Sequence, residues 1–268
     1  MTAEAGYEAI LVSIEGHVAT VTFNRPEAMN AFNQQMTREV IAACATLNDD
    51  PDVRVVIFTG AGDRAFSAGL DLKERAAEQM SFVEKRASRV RPGIAVSHKA
   101  VAALDRPTIA AIRGYALGGG LEVSLACDLR VAASDAKLGL TEIRRGIMPG
   151  AGGTQRLARL VGPGHALKIA LSGEPIDAAE AYRIGLVNEV VEPEDLLPAA
   201  QRLAATINKG APISARFIKE AINAGLDLPL TEGLRLEADL AILLGQTEDS
   251  KEGPRSFVEK RPPVWQGR

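Results

Sequence analysis

Pro107-Thr-Ile-Ala-Ala-Ile-Arg-Gly-Tyr-Ala-Leu-Gly-Gly-Gly-Leu-Glu-Val-Ser-Leu-Ala-Cys-Asp-Leu-Arg-Val-Ala-Ala133 is the stretch on which the fold turns. Its first six residues form an apolar, strand-length run that ends toward Gly114. The triple glycine Gly118-Gly119-Gly120 then precedes a helix-like run from Leu121 to Cys127, and Leu129 to Ala133 is strand-like again. Strand, turn, helix and strand in this order predict an α/β fold, because a helical crossover joins parallel strands.

The same alternation extends upstream. Ile10–Glu15, Gly16 and His17–Phe23 read as a β-hairpin, which Asn24-Arg25-Pro26 ends. Asn33 to Leu47 has helical spacing, with Met36, Val40, Ala43 and Cys44 on one face, and Asn48-Asp49-Asp50-Pro51 stops it. Val53 to Phe58 is a buried-strand run closed by Gly60-Ala61-Gly62-Asp63. Downstream of Gly152 strands nearly vanish. Residues 154–161, 164–171, 177–184, 194–208, 212–223 and 230–244 carry helical patterns, and Arg261-Pro262-Pro263 reads as extended. A composition shift near residue 195 predicts a catalytic α/β core over 1–195 and a helical C-terminal lobe over 196–268.

The composition limits what the chain can do. It has 268 residues, 46% apolar and 24% charged, enough for a large core, but only 4% are aromatic while 25 are Gly. That argues against an aromatic-stacking nucleic-acid binder, disorder, collagen and a disulfide scaffold. The net charge of −3 leaves no basic excess, so an anionic ligand needs locally placed amides, Lys or Arg. Cys44 and Cys127 lie outside any CxxC pattern and suit a reducing compartment. Charged residues interrupt the most apolar region, and Glu4 and Glu8 break any leader pattern, so the expectation is a soluble cytoplasmic protein. His17, His98 and His165 have no paired-ligand spacing, so no metal site is expected, and His98 reads as a packing residue. Glu84-Lys85-Arg86 reads as a solvated helix face.

The chemistry points to three glycine-rich turns: Phe66-Ser-Ala-Gly-Leu-Asp-Leu-Lys73, Gly114-Tyr-Ala-Leu-Gly-Gly-Gly-Leu-Glu122, and Thr141-Glu142-Ile143 followed by Pro149-Gly-Ala-Gly-Gly-Thr154. Glycine lets a backbone amide approach a ligand closely. One amide from each of the first two turns, converging on a carbonyl oxygen, would form an oxyanion hole. Glu122 lies about one helical turn beyond Gly119 and interrupts an apolar run, where a carboxylate is costly unless paired or functional. Two carboxylates facing one pocket, Glu122 and Glu142, can divide acid and base roles. The plainer alternative is that both are helix caps or solvated charges.

At these residues the sequence resembles the crotonase (enoyl-CoA hydratase/isomerase) superfamily. The match runs from Asn24-Arg-Pro26 and Met29-Asn-Ala31 through Phe66–Lys73, Gly114–Glu122, Ala126-Cys-Asp-Leu-Arg130 and Pro149–Arg156 to Gly185-Leu-Val-Asn188. The Arg130–Gly139 stretch is also similar to hydratases of branched acyl-CoA breakdown. The resemblance implies a spiral of ββα units and a helical lobe that assembles trimers, usually paired into hexamers. It implies an acyl-CoA thioester as substrate, with the carbonyl on the amides of Leu70 and Gly119, and no cofactor, because coenzyme A is part of the substrate. Glu122 would be the water-side base and Glu142 the α-carbon acid. Ala68, Asp71, Leu72 and Lys73 would line the CoA channel, with Arg25, Lys73 and Lys260 as candidate phosphate contacts. No nucleic-acid or membrane partner is implied. Members that isomerise, dehalogenate or hydrolyse often lack one of the two glutamates, so keeping both favours 2-enoyl-CoA hydration. A double-bond isomerase and a non-catalytic acyl-CoA-binding scaffold are the alternatives. Residues 74–97 are expected to form a mobile lid over the acyl tail. Leu70, where the family often has Ala or Gly, and Glu27, near a position often basic, leave acyl length and CoA contacts open.

Overall fold

The computed structural model describes residues 6–77 and 93–268. The chain opens on an antiparallel hairpin, β1 (Ile10–Glu15) and β2 (Val18–Phe23), and a helix, α1 (Gln34–Asp49). Asn33 starts α1 by accepting the Met36 amide on its side-chain oxygen at 2.8 Å, which satisfies one of the unpaired donors of the first turn.

A repeating pattern follows. β3 (Val55–Gly60) and β4 (Ala65–Ser67) precede α2 (Leu72–Ala77) and α3 (Ile94–Ala102). β5 (Thr108–Ile112) and β6 (Tyr115–Leu117) precede α4 (Gly119–Ala126), and β7 (Leu129–Ala133) and β8 (Lys137–Gly139) precede α5 (Gly153–Ser172). Each pass lays one strand in each of two sheets and then returns by helix. The larger sheet has the order β1-β2-β3-β5-β7-β10 and the smaller β4-β6-β8-β9. Pairing is parallel from β2 through β10 in the larger sheet, as the crossovers require. This is a spiral of ββα turns.

The sheets were only partly foreseen. β4, β6 and β8 are three-residue strands, and β9 (Ile176–Asp177) and β10 (Glu189–Val191) lie at the edge of and between the expected helical runs, where no strand was read. Strands this short carry no periodicity; pairing with neighbours already in place defines them. α5 bends at Gly162 (φ 79°, ψ 159°), before Pro163, which explains the two helical patterns read on either side. α6 (Ala178–Arg183), α7 (Leu196–Ile207), α8 (Pro212–Gly225) and α9 (Leu230–Leu244) match the predicted runs, whereas α10 (Glu248–Val258) was not anticipated. The last residues run extended; Asp249 accepts the Gln266 and Gly267 amides at 2.7 and 2.9 Å.

The main core fills with β-branched, aliphatic and Phe side chains. Phe23 sits edge-on to Phe32 (5.0 Å) and Phe66 (5.3 Å), joining the hairpin to the segment before α1 and to β4. Leu196, Ala199, Ala200 and Ala204 of α7, just beyond the expected boundary at 195, pack against Val55, Ile57, Ile109 and Val131 on the other face of the larger sheet. Three buried polar side chains are satisfied by backbone. Glu39 accepts the amides of Glu8, Ala9 and Ile10. The Arg106 guanidinium donates to the carbonyls of Val53, Asn48 and Asp50. Arg130 does the same for Leu186, Ser124, Cys127 and Asp128. Cys44 and Cys127 are buried free thiols, each pushed up to about 12 by burial. Of the segment expected to form a lid, 78–92 lie outside the described residues, as does Glu84-Lys85-Arg86; 74–77 end α2 and 94–97 begin α3.

Candidate active site

The first two glycine turns meet. Gly69, at φ 89°, lies so close to the second turn that a Cβ there would be 2.7 Å from the Gly119 amide nitrogen; a Cβ on Gly119 would be 3.5 Å from the Leu70 nitrogen. Only glycine accommodates that approach and that dihedral without strain. Phe32 donates its amide to Gly69 O at 2.7 Å and accepts from the Asp71 amide at 3.0 Å. These bonds bracket Leu70 and leave its N–H directed away. Gly119 is the first residue of α4, so its N–H has no acceptor within the helix. Among the described residues neither amide has a protein acceptor.

These amides border a cavity of about 290 Å³ lined by Ala68, Leu70, Leu72, Gly119, Glu122 and Glu142, together with Arg75, Ile94, Thr141, Arg145, Met148 and Ala151. Glu122, on the first turn of α4, is 3% exposed. Its Oε1 accepts the Ala151 and Gly153 amides at 2.7 and 2.8 Å. The third glycine turn therefore holds one carboxylate oxygen in place. Burial raises the Glu122 pKa, while those two amides and the Arg156 charge oppose the rise. Arg156 donates to Ala151 O at 3.0 Å and so braces the same turn.

Glu142 begins a 3₁₀ turn, Glu142–Arg145, and its Oε1 would lie 3.0 Å from a Cβ on Gly118. Its Oε2 is buried without a hydrogen-bond partner among the described residues. Burial raises its pKa first, and the Glu122 charge adds to the rise against Arg145. A carboxyl with an idle buried oxygen beside a second, amide-held carboxylate favours unequal protonation of the pair.

The other expected residues stand apart from this cavity. Asp71 takes the Arg25 guanidinium at 3.0 Å, and the same guanidinium nitrogen donates to Ala31 O at 2.6 Å. Arg25 thus fixes the loop that carries Leu70, and burial offset by the Glu74 amide and Arg25 leaves the Asp71 pKa lowered. Lys73 is exposed on α2 and Lys260 is exposed just after α10, and neither lines the cavity. Arg75, Ile94 and Met148 carry no sequence signal for a site, because the wall they form exists only once α2, α3 and the third turn are packed together. Among the described residues there is no group of three or more His, Cys, Asp or Glu side chains suited to a metal ion, and no helix is long and apolar enough to cross a membrane.

Residues 13–268 match the family model described as Enoyl-CoA hydratase/isomerase. The chain belongs to that family. It is 44% identical over 257 residues to a probable enoyl-CoA hydratase of Mycobacterium bovis, covering 96% of this chain and 97% of the relative. It is 43% identical to a crotonyl-CoA hydratase of Syntrophomonas wolfei, with coverage of 95% and 96%. The crystal structure of an enoyl-CoA hydratase from Bacillus anthracis superposes with a TM-score of 0.92 at 42% identity, covering 97% of this chain and all of that one. The ββα spiral and C-terminal helices are thus those of the enoyl-CoA hydratase/isomerase family.

Proposed function

We propose that this protein hydrates the 2,3 double bond of a 2-enoyl-CoA thioester. The observation that carries this is the meeting of two buried carboxylates, Glu122 and Glu142, with two unengaged amides, Leu70 and Gly119, around one cavity. The amides accept the thioester oxygen in hydrogen bonds and stabilise the negative charge that develops there, which makes the β-carbon electrophilic. Glu122, whose charged form the Ala151 and Gly153 amides favour against burial, takes a proton from water as the water oxygen bonds the β-carbon. The π electrons move to the enolate, and Glu142 gives its proton to the α-carbon. One water has been added, and the proton on Glu122 returns to Glu142 through the cavity before the next turnover. This chemistry calls for no metal or redox cofactor. The relatives named as enoyl-CoA and crotonyl-CoA hydratases support the same reaction.

The loop from Ala68 to Lys73 flanks the thioester, with Arg25 holding it through Asp71 and Lys73 offering its charge to a CoA phosphate. The helices after α7 form the assembly surface of a homotrimer or hexamer, in which Lys260 becomes a second phosphate contact. The test is turnover of crotonyl-CoA, followed by loss of the conjugated-enoyl absorbance. Glu122→Gln and Glu142→Gln are each expected to lower kcat by at least about a hundredfold. Full activity in either variant refutes the two-carboxylate mechanism; appearance of conjugated absorbance from a 3-enoyl-CoA, without hydration of crotonyl-CoA, identifies an isomerase instead.

A further inference from the structure

Resting on the oxyanion reading above, we infer that His98 is a positioning residue for the oxyanion hole, holding Gly119 through a hydrogen bond from its Nε2 to the Gly119 carbonyl. The side chain is fully buried on α3, and Nε2 lies 2.7 Å from Gly119 O. A carbonyl only accepts, so Nε2 carries the proton and the tautomer is fixed. Burial, with Arg156 as a smaller contribution, lowers the His98 pKa to about 3, so the ring stays neutral and does no acid–base work near neutrality. Its other face is fixed as well: Phe32 stands edge-on at 5.2 Å, and Ser97 Oγ lies 3.4 Å from Nδ1.

The placement matters because of what Phe32 and Gly119 each hold. Phe32 brackets Leu70 through its backbone, and Gly119 supplies the second amide. His98 touches both, so one imidazole spans the two halves of the oxyanion hole. Ile94, one turn earlier on α3, has its Cδ1 2.5 Å from where a Gly119 Cβ would be, so α3 also presses on this glycine directly. Without the Nε2 donor the first turn of α4 is free to shift against Leu70, and a misplacement near 1 Å at a reacting group costs about a hundredfold in rate.

The experiment compares wild type with His98→Leu, which keeps apolar bulk against Phe32, and His98→Gln, which keeps a side-chain N–H donor at similar reach. Two readouts are taken: kcat and KM for crotonyl-CoA, and the red shift in absorbance of a bound aryl-enoyl-CoA, which reports polarisation of the thioester carbonyl. The expected result is a kcat lowered about ten- to a hundredfold in His98→Leu, with KM within about threefold and a diminished red shift, and recovery of both kcat and shift in His98→Gln. Circular dichroism melting checks folding; if His98→Leu does not fold, His98→Met takes its place with the same expectation. Wild-type kcat and red shift in the apolar variant, or equal losses in the Gln and apolar variants, overturn the inference. Absence of any red shift in the wild type overturns the oxyanion reading itself, and this inference with it.

Discussion

Glu142 illustrates how a site residue is held at a cost in stability. Its Oε2 is buried without a partner among the described residues, and its pKa is raised by burial and by Glu122. Between the unfolded carboxyl pKa of about 4.3 and the raised folded value, the native state keeps a proton that the unfolded chain has lost. Stability contributed by this group therefore falls as pH rises through that window. Glu142→Gln removes the dependence, so its melting temperature relative to wild type is expected to rise from pH 4 to pH 7 while activity is lost. Differential scanning calorimetry at the two pH values checks this; a relative fall would contradict it. Activity follows the pair. On the proposed mechanism it is expected to decline at low pH as Glu122 is protonated and at high pH as Glu142 ionises, with both limbs above the ordinary carboxylate range because both pKa values are raised. A kcat/KM profile with its acid limb at or below pH 4 would argue against Glu122 as the base.

At the scale of elements, close backbone contact between β4 and α4 determines where the amides sit. A Cβ on Gly120 would come 1.9 Å from Ser67 O, an atom of the backbone that cannot step aside. Gly120→Ala is expected to cost about 3 kcal/mol, read as a lowered urea midpoint at unchanged slope. Gly164, on α5 after the kink, has open space where its Cβ would go. There the Ala replacement is expected to stabilise by about 0.5 kcal/mol, since only the entropy of the unfolded chain changes. The opposite outcomes separate a glycine required by packing from one that merely follows a proline. Asn33, the cap of α1, is an intermediate case: Asn33→Ala is expected to cost about 1 kcal/mol by the same denaturation.

The whole molecule leaves a surface uncovered. Ile218, Ile222 and Leu226 on α8, Leu230 and Leu234 on α9, and Phe257 on α10 are all exposed. α8 buries none of its residues, although Lys219 anchors it to Asp128 and to Arg106 O, both at 2.8 Å. Apolar area of this kind on the C-terminal helices is what the proposed homotrimer or hexamer would cover. On that proposal the wild type is expected to scatter light as an oligomer and Ile222→Asp to reduce the mass toward 28.4 kDa with an unchanged far-UV spectrum; a monomeric wild type would refute the assembly, and an unaltered oligomeric mass would exclude this face from it.

What the sequence determined was the alternation of the longer strands and helices and which side chains were candidates for the chemistry. The apolar run of 107–112, the triple glycine and the 129–133 strand follow from local periodicity and punctuation. Glu122 was conspicuous because a charge in an apolar run demands a reason. What only the tertiary structure decided was contact between segments far apart in the chain. The three-residue strands of the second sheet exist through pairing alone. Arg25 turned out to be tied to Asp71, and His98, read as packing, reached Gly119 across twenty-one residues. Hydrogen bonds and cavities depend on distances that loop closure sets, and no local pattern encodes those. Periodicity reports which face of an element is buried; it cannot report which partner buries it.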